Sequence, residues 1–181
     1  MHQLLAKLLP KGLNLQAHTT VSSVSQSEDK DYPWIVRSSK GEIRAKKVVH
    51  ATNAYASSIL PEYKNAITPV RGICSHIESP LGTNTPHLNN TYGIRFDKVN
   101  NDYLVPRPDG SIIVGGARQV FWHEKDRWFD NINDDETIEE AEAYFSDYMQ
   151  RHFRGWENSQ MTTRKIWSGS KSILEIWLVY S

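Results

Sequence analysis

The sequence predicts a mixed α/β (α+β) fold in which an antiparallel sheet carries one long packed helix. Runs rich in β-branched and aromatic residues recur between turn residues over 67–116 and again at 162–167, and they indicate strands. From Asn133 to Arg154 the apolar residues change to a period of 3.6, which indicates a helix lying on that sheet. The chain has 181 residues, 39% of them hydrophobic, so it is long enough to bury a core.

Residues 1–66 are expected to form a smaller portion built from short elements. Leucines at helical spacing open the chain, and Pro10 and Gly12 end that helix. Strands are expected in the runs NLQAHTTVSSVSQ, WIVRSS and EIRAKKVVHAT. The stretch AYASSIL, residues 54–60, is expected to be a short helix that Pro61 stops.

The larger portion, 67–169, is expected to contain the main sheet, with Pro108, Asp109 and Gly110 joining two of its strands as a tight hairpin. In the helix, Asn133 and Glu136 have the spacing of a capping box. Its apolar stripe consists of Ile138, Ala141, Phe145, Tyr148 and His152. Residues 170–181 are expected to stay outside the core, although their β-branched and aromatic content permits pairing as an edge strand.

Composition narrows the classes of function. The 21 Lys and Arg residues balance 21 Asp and Glu residues, so no overall field attracts nucleic acid or an anionic membrane. No apolar run is long enough to cross a membrane, and the single cysteine, Cys74, permits no intrachain disulfide. The seven histidines show no metal-site spacing, so no metal is expected. These features leave a cytoplasmic or organelle-lumen enzyme open.

The stretch VVHATNAY, residues 48–55, has the composition of a strand that turns directly into a helix. Such a turn brings backbone N–H groups and the positive end of a helix dipole to a sheet edge, where α/β proteins bind nucleotides. Small side chains at Ala51, Thr52 and Asn53 would let a ligand approach the backbone. The alternative is an ordinary strand-to-helix turn with a good N-cap.

Several motifs together resemble one enzyme family. ATNAY is followed closely by PVRG, then by DYLVPRPDGSIIVGG and IWSG, in a strand order that covers residues 4–169. This order resembles the FAD-dependent amine and amino-acid oxidoreductases, the family of D-amino-acid oxidase, glycine oxidase and sarcosine oxidase. The resemblance implies a partial Rossmann-like FAD-binding portion at 1–66 and an antiparallel substrate domain at 67–169.

The resemblance also implies roles for particular residues. Val21 would lie against the adenine end of FAD through its backbone, while Ala51, Thr52 and Asn53 would approach the ribose or pyrophosphate. The alternative for Val21 is a plain strand core position.

Three further residues are candidates for the substrate. Arg71 of PVRG would lie near the flavin or at the domain boundary, or else be a surface arginine paired with a carboxylate. Tyr103 and Arg118 flank the hairpin and would reach a substrate carboxylate, or else be solvated hairpin residues. No residue is assigned a catalytic role.

The chain departs from this family in one respect that bears on activity. It contains no G-x-G-x-x-G turn, which holds the pyrophosphate on a helix N-terminus, and after Trp167-Ser168-Gly169 it leaves the family pattern. It therefore resembles the middle of an oxidoreductase and is expected to be inactive alone. The alternative is a non-catalytic remnant or interaction module without cofactor, which associates through exposed sheet edges.

Overall fold

The computed structural model describes residues 2–80 and 85–174, with side chains through residue 171. The described residues form two compact units, one of residues 2–52 with 58–61 and one of residues 53–57 with 62–80 and 85–174. The α-helices are α1 (His2–Leu8), α2 (Ala56–Ile59), α3 (Arg118–Phe121), α4 (Lys125–Trp128), α5 (Glu139–Phe145) and α6 (Tyr148–His152). The strands are β1 (Val21–Gln26), β2 (Trp34–Ser38), β3 (Gly41–Ala45), β4 (Ile67–Glu78), β5 (Tyr92–Arg95), β6 (Asn101–Pro106), β7 (Ile112–Gly116) and β8 (Thr162–Leu174). The mixed α/β class is confirmed.

The first unit consists of α1 and a three-stranded antiparallel sheet in the order β1-β2-β3. The leading helix ends as predicted, through the 3-10 turn Leu9–Lys11 and the left-handed Gly12 at φ 97°. The predicted strand through VVHAT is wrong, because β3 stops at Ala45 and residues 46–52 form no strand. β-branched residues favour a strand only where a neighbour pairs with them and covers one face. Val49 has no such cover and is 85% exposed.

The second unit is built on the predicted antiparallel sheet, in the order β5-β6-β7-β4-β8. The hairpin between β6 and β7 turns at Pro108-Asp109-Gly110, as predicted. Strand β8 pairs with β4 along the whole length of both strands, so residues 170–174 continue the sheet edge beyond Gly169. Residues 175–181 of the predicted divergent tail lie outside the described residues.

The predicted long helix from 133 to 154 is wrong in its length and its start. Two short helices, α5 and α6, take its place, and Asp147 separates them with a left-handed φ of 51°. Helix α5 starts after Ile138 without a side-chain cap, so the predicted capping box does not form. Four members of the predicted stripe, Ile138, Ala141, Phe145 and Tyr148, are buried. The fifth, His152, is exposed, so its place in the buried stripe was wrong.

One core joins these helices to the sheet. Phe145, Tyr148 and Met149 pack in the same buried cluster as Leu104 and Val114 of the central strands. The sheet face that meets the helices is therefore closed. The end of the sheet beside α3 and α4 is open.

Candidate functional site

A hollow at this open end of the sheet contains all three residues that the sequence suggested for a substrate. Strand β7 pairs with β4 from Ile73 to Ile77, and the chain returns to β4 at Phe129, which bridges Val70. Between these points the chain leaves the sheet as α3 and α4, and a space of about 390 Å³ remains. The residues lining it include Arg71, Tyr103, Arg118, Trp122, Trp128 and Lys171.

Arg71, on β4, is 95% buried, since only 5% of its surface is exposed. Its guanidinium donates hydrogen bonds to the backbone carbonyls of Arg127 (3.1 Å) and Glu136, and it lies 3.5 Å from Ser168 Oγ. Its Nε is buried and has no hydrogen-bond partner among the described residues. Arg71 is thus no surface arginine paired with a carboxylate. It holds the chain after α4 against β4 and brings a buried positive charge to the hollow.

Arg118 opens α3 directly after Ala117, which has a left-handed φ of 60°. The Ala117 N–H donates to the carboxylate of Asp102 at 2.9 Å, and this bond fixes the turn from β7 into α3. The Arg118 guanidinium lies over the Trp122 ring, with its Cζ 3.2 Å from the ring centroid. Its Nε, like that of Arg71, is buried and has no hydrogen-bond partner in the part of the chain that the structure describes.

Tyr103 lies on the opposite face of β6 from the helix-covered core. Its ring covers Gly115, where any Cβ would collide with the phenol. The hydroxyl is 2.9 Å from Cys74 Sγ. Burial, together with this contact, raises the pKa of Tyr103 above its ordinary value, so the phenol stays protonated at neutral pH and can donate a hydrogen bond.

Sequence reasoning did not name Lys171, Trp122 or Trp128 as residues of the site, although all three line the hollow. Lys171 pairs with Val70 across β4 and β8, and its Cε lies 3.6 Å from the point where a Gly72 Cβ would stand. The signal for Lys171 was the alternation of successive side chains between the two faces of β8. Residue 171 was missed because it fell in the segment predicted to stay outside the core. Trp122 and Trp128 belong to the aromatic stretch FWHEKDRWF, residues 121–129, which contains α4.

Three cations therefore line one hollow, and none of them has a carboxylate partner among the described residues. Arg71, Arg118 and Lys171 form no ion pair within the parts of the chain that the structure describes. Guanidinium groups carry a fork of donors that matches a carboxylate, and a tyrosine hydroxyl supplies a further donor. The chemistry of the hollow suits a small anionic ligand with an apolar portion that rests on the tryptophans.

A buried carboxylate stands beneath this hollow. Asp102 is fully buried and accepts hydrogen bonds from Tyr144 (2.6 Å), Tyr148 (2.8 Å) and the Ala117 N–H. Burial and the hydrogen bond to Asp102 raise the pKa of both tyrosines, which keeps them protonated as donors. Because three donors hold the Asp102 carboxylate, it belongs to the support of the site.

The four candidate cofactor residues lie elsewhere in the chain. Val21 starts β1 opposite Ser38 and is half-buried, while Ala51 is exposed. Asn53 begins a 3-10 turn with a left-handed φ of 47°. Thr52 Oγ1 is buried yet has no hydrogen-bond partner among the described residues. A buried hydroxyl without a hydrogen-bond partner can bond to a ligand that supplies one, so Thr52 is compatible with a cofactor contact.

Other features of the described residues add no second site. No three His, Cys, Asp or Glu side chains converge there as a metal would require. None of the described helices has the length and hydrophobicity of a membrane span. A space of about 450 Å³ beside β8 is lined by residues of mixed charge, including Glu142, Asp147, Arg164 and Lys165.

Solved structures define the class of this fold. The structure aligns with a glycine oxidase from Geobacillus kaustophilus at a TM-score of 0.61 and 18% identity, over 91% of this chain and 39% of that one. An L-proline dehydrogenase from P. horikoshii aligns at a TM-score of 0.60 and 22% identity, over 91% of this chain and 40% of that one. The fold is therefore that of amino-acid oxidoreductases, and this chain spans about two fifths of their length.

The sequence identifies the family. A family model described as FAD dependent oxidoreductase matches residues 1–174, and the chain belongs to that family. It is also 30% identical over 112 residues to the bifunctional protein ThiO/ThiG from Synechocystis sp., a match that covers 61% of this chain and 16% of that protein. The resemblance seen in the sequence is confirmed.

Proposed function

We propose that this chain provides the substrate-binding part of an FAD-dependent oxidoreductase that oxidises the C–N bond of an amino acid or related amine. The observation that carries the proposal is the hollow lined by Arg71, Arg118 and Lys171 without a carboxylate partner among the described residues. The similar solved structures include a glycine oxidase and an L-proline dehydrogenase, two enzymes named after amino acids. A carboxylate is the anion that all amino acids share.

Arg118 and Lys171 are the residues that hold the substrate carboxylate in this proposal, and Tyr103 adds a hydroxyl donor. Arg71 attracts the substrate carboxylate through its charge and does not bond to it directly, because its guanidinium already donates to two backbone carbonyls. Phe121, Trp122 and Trp128 exclude water from one side of the hollow. Lower water access strengthens the attraction between the cations and the carboxylate.

The chemistry that FAD would supply, if it is bound, is a hydride acceptor for the substrate α-carbon. Val21, Ala51, Thr52 and Asn53 are the residues of this chain that would hold it, with Thr52 Oγ1 as a hydrogen-bonding group that has no partner among the described residues. The other residues of the chain bind and orient the substrate. No residue is assigned the transfer of a proton.

The test compares two substitutions with a matched control. Arg118→Met and Lys171→Met should each weaken binding of an amino acid by about tenfold, since each removes a charged hydrogen bond worth roughly 1.5–3 kcal/mol. Arg107→Met is the control, because Arg107 is an exposed arginine of the same sheet that pairs with Asp109 outside the hollow. Calorimetric titration measures all three. Equal affinities in the wild type and both hollow variants would exclude this site.

The non-catalytic alternative depends on exposed strand edges. Strand β3 is an edge of the three-stranded sheet, and four of its five residues are exposed, with Ile43 at 57%. Such an edge favours pairing with another chain. Sedimentation velocity over a range of concentrations tests this association. A decrease in association on Ile43→Lys, with no binding of amino acid by the wild type in the calorimetric titration, would favour the interaction module.

A further inference from the structure

Three planar groups form a stack at the wall of the hollow. The Arg118 Cζ lies 3.2 Å from the centroid of the Trp122 ring. The Trp122 and Trp128 rings are stacked, with centroids 3.9 Å apart and planes inclined by 18°. Two groups cannot share one face of an indole at these distances, so Trp122 lies between the guanidinium and the second indole.

The far end of this stack is anchored to the sheet. Trp128 is 5% exposed, and its Nε1 donates to the Trp122 carbonyl at 3.1 Å. Its ring meets Phe129 edge to face at 5.6 Å, and Phe129 bridges Val70 of β4. Trp122 itself is 42% exposed and has little burial of its own to require an indole there.

The stack sets the direction of the Arg118 donors. A guanidinium carries its five N–H groups in its plane, so contact through its face leaves the edge available for hydrogen bonds. That edge is sparsely used within the described residues: Nη1 lies 3.5 Å from the Val99 carbonyl, and Nε is buried without a partner. An arginine without such support samples many rotamers and must lose them when a ligand binds.

We infer that Trp122 is a positioning residue that fixes the Arg118 guanidinium, edge toward the hollow, for a ligand carboxylate. The inference rests on the proposed function, since it assigns Trp122 a role in the same site. Trp122 acts through Arg118, and its own contact with the ligand is secondary. The indole is therefore required for affinity more than for stability.

The experiment is an NMR titration of the full chain with acetate, which presents a carboxylate and little else. The Arg118 Nε–H resonance, assigned by its loss in Arg118→Lys, should be shifted upfield by the indole ring and should move on addition of acetate. Trp122→Leu should abolish the upfield shift and raise the acetate Kd about fivefold. Trp122→Phe keeps a ring and should restore most of the affinity, as expected for a cation–π contact.

Tyr32→Leu is the matched control, because Tyr32 is 43% exposed, lies under Lys46 at 5.7 Å and belongs to the first unit. It should leave the Arg118 resonance and the acetate Kd unchanged. Unfolding in urea, followed for every variant, separates lost binding from lost structure. Wild-type acetate affinity in folded Trp122→Leu would overturn the positioning role while leaving the proposed site intact. Failure of acetate to move the wild-type Arg118 resonance would overturn the carboxylate site and, with it, this inference.

Discussion

Asp102 shows how one buried carboxylate organises the site through hydrogen bonds alone. Hydrogen bonds from two tyrosine hydroxyls and one backbone N–H satisfy its oxygens. Gly116 is required next to it, because a Cβ there would collide with the carboxylate and its φ of 142° is strained for other residues. The position of Arg118 therefore depends on Asp102, which is not one of the residues that line the hollow.

Replacement of Asp102 tests that dependence. Asp102→Asn should lower the free energy of unfolding by about 2 kcal/mol, since hydrogen bonds to a charged group are worth roughly 1.5–3 kcal/mol each and some remain. Urea denaturation measures the change. Asp126→Asn, an exposed aspartate on α4, should stay within about 0.5 kcal/mol of the wild type. Equal losses in the two variants would contradict a special role for Asp102.

His152 makes stability depend on pH. Its ring packs on Tyr148 at 4.5 Å, and burial, aided by the Arg151 charge, lowers its pKa below the ordinary 6.5, while Asp102 opposes the shift. The unfolded chain then binds a proton more readily than the folded chain. The His152 contribution to stability is therefore present above pH 6.5 and is lost as the pH falls through that value toward the folded pKa.

His152→Phe keeps an aromatic ring and removes the titration. The variant should lose less free energy of unfolding than the wild type when the pH is lowered from about 7.5 to about 5.5, because no group at position 152 gains a proton. Urea denaturation at several pH values gives the slope of the free energy of unfolding against pH for the wild type and for the variant. Identical slopes would show that His152 titrates equally in the folded and unfolded chains.

At the scale of elements, the break between α5 and α6 decides where the helical stripe points. Asp147 occupies the left-handed region at φ 51° and makes no capping hydrogen bond to α6. Its side chain is therefore dispensable, while its backbone conformation is not. Left-handed backbone costs an ordinary L-residue roughly 1–2 kcal/mol, and glycine avoids this cost.

Substitutions at this break should act through the backbone. Asp147→Gly should maintain or raise the free energy of unfolding, while Asp147→Val should lower it by about 1–2 kcal/mol, since a β-branched residue fits the left-handed region poorly. Thermal and urea unfolding measure both. If the valine variant is as stable as the glycine variant, α5 and α6 form one continuous helix in solution.

At the scale of the whole molecule, membership of the family does not by itself supply a complete cofactor site. The sequence contains no G-x-G-x-x-G turn for the pyrophosphate of FAD. Hydrogen bonds from Val21 and the Ala51–Asn53 stretch are worth about 1 kcal/mol each in net terms, against roughly 8 kcal/mol for micromolar binding. We therefore predict negligible FAD binding and no amine-dependent peroxide formation by this chain alone. Fluorescence titration with FAD measures the first, and micromolar binding with turnover would refute both.

Much of the fold followed from local signals in the sequence. Turn residues predicted the hairpin at Pro108-Asp109-Gly110 and the end of the first helix at Gly12. The spacing of apolar residues predicted the strands over 67–116. Both signals come from residues close together in the sequence. The family also followed from the sequence, because ATNAY and PVRG keep their order and spacing within one chain.

Tertiary structure alone decided the remaining features. Residues 48–52 have the composition of a strand but no strand beside them among the described residues, and Asp147 breaks a helical period so that the buried stripe can meet the sheet. The hollow joins Arg71, Trp122 and Lys171 from three separate elements, and no local pattern states that they meet. Periodicity and turn residues act between near neighbours. Pairing, burial and the assembly of a site depend on contacts between residues far apart in the chain, which only the folded structure determines.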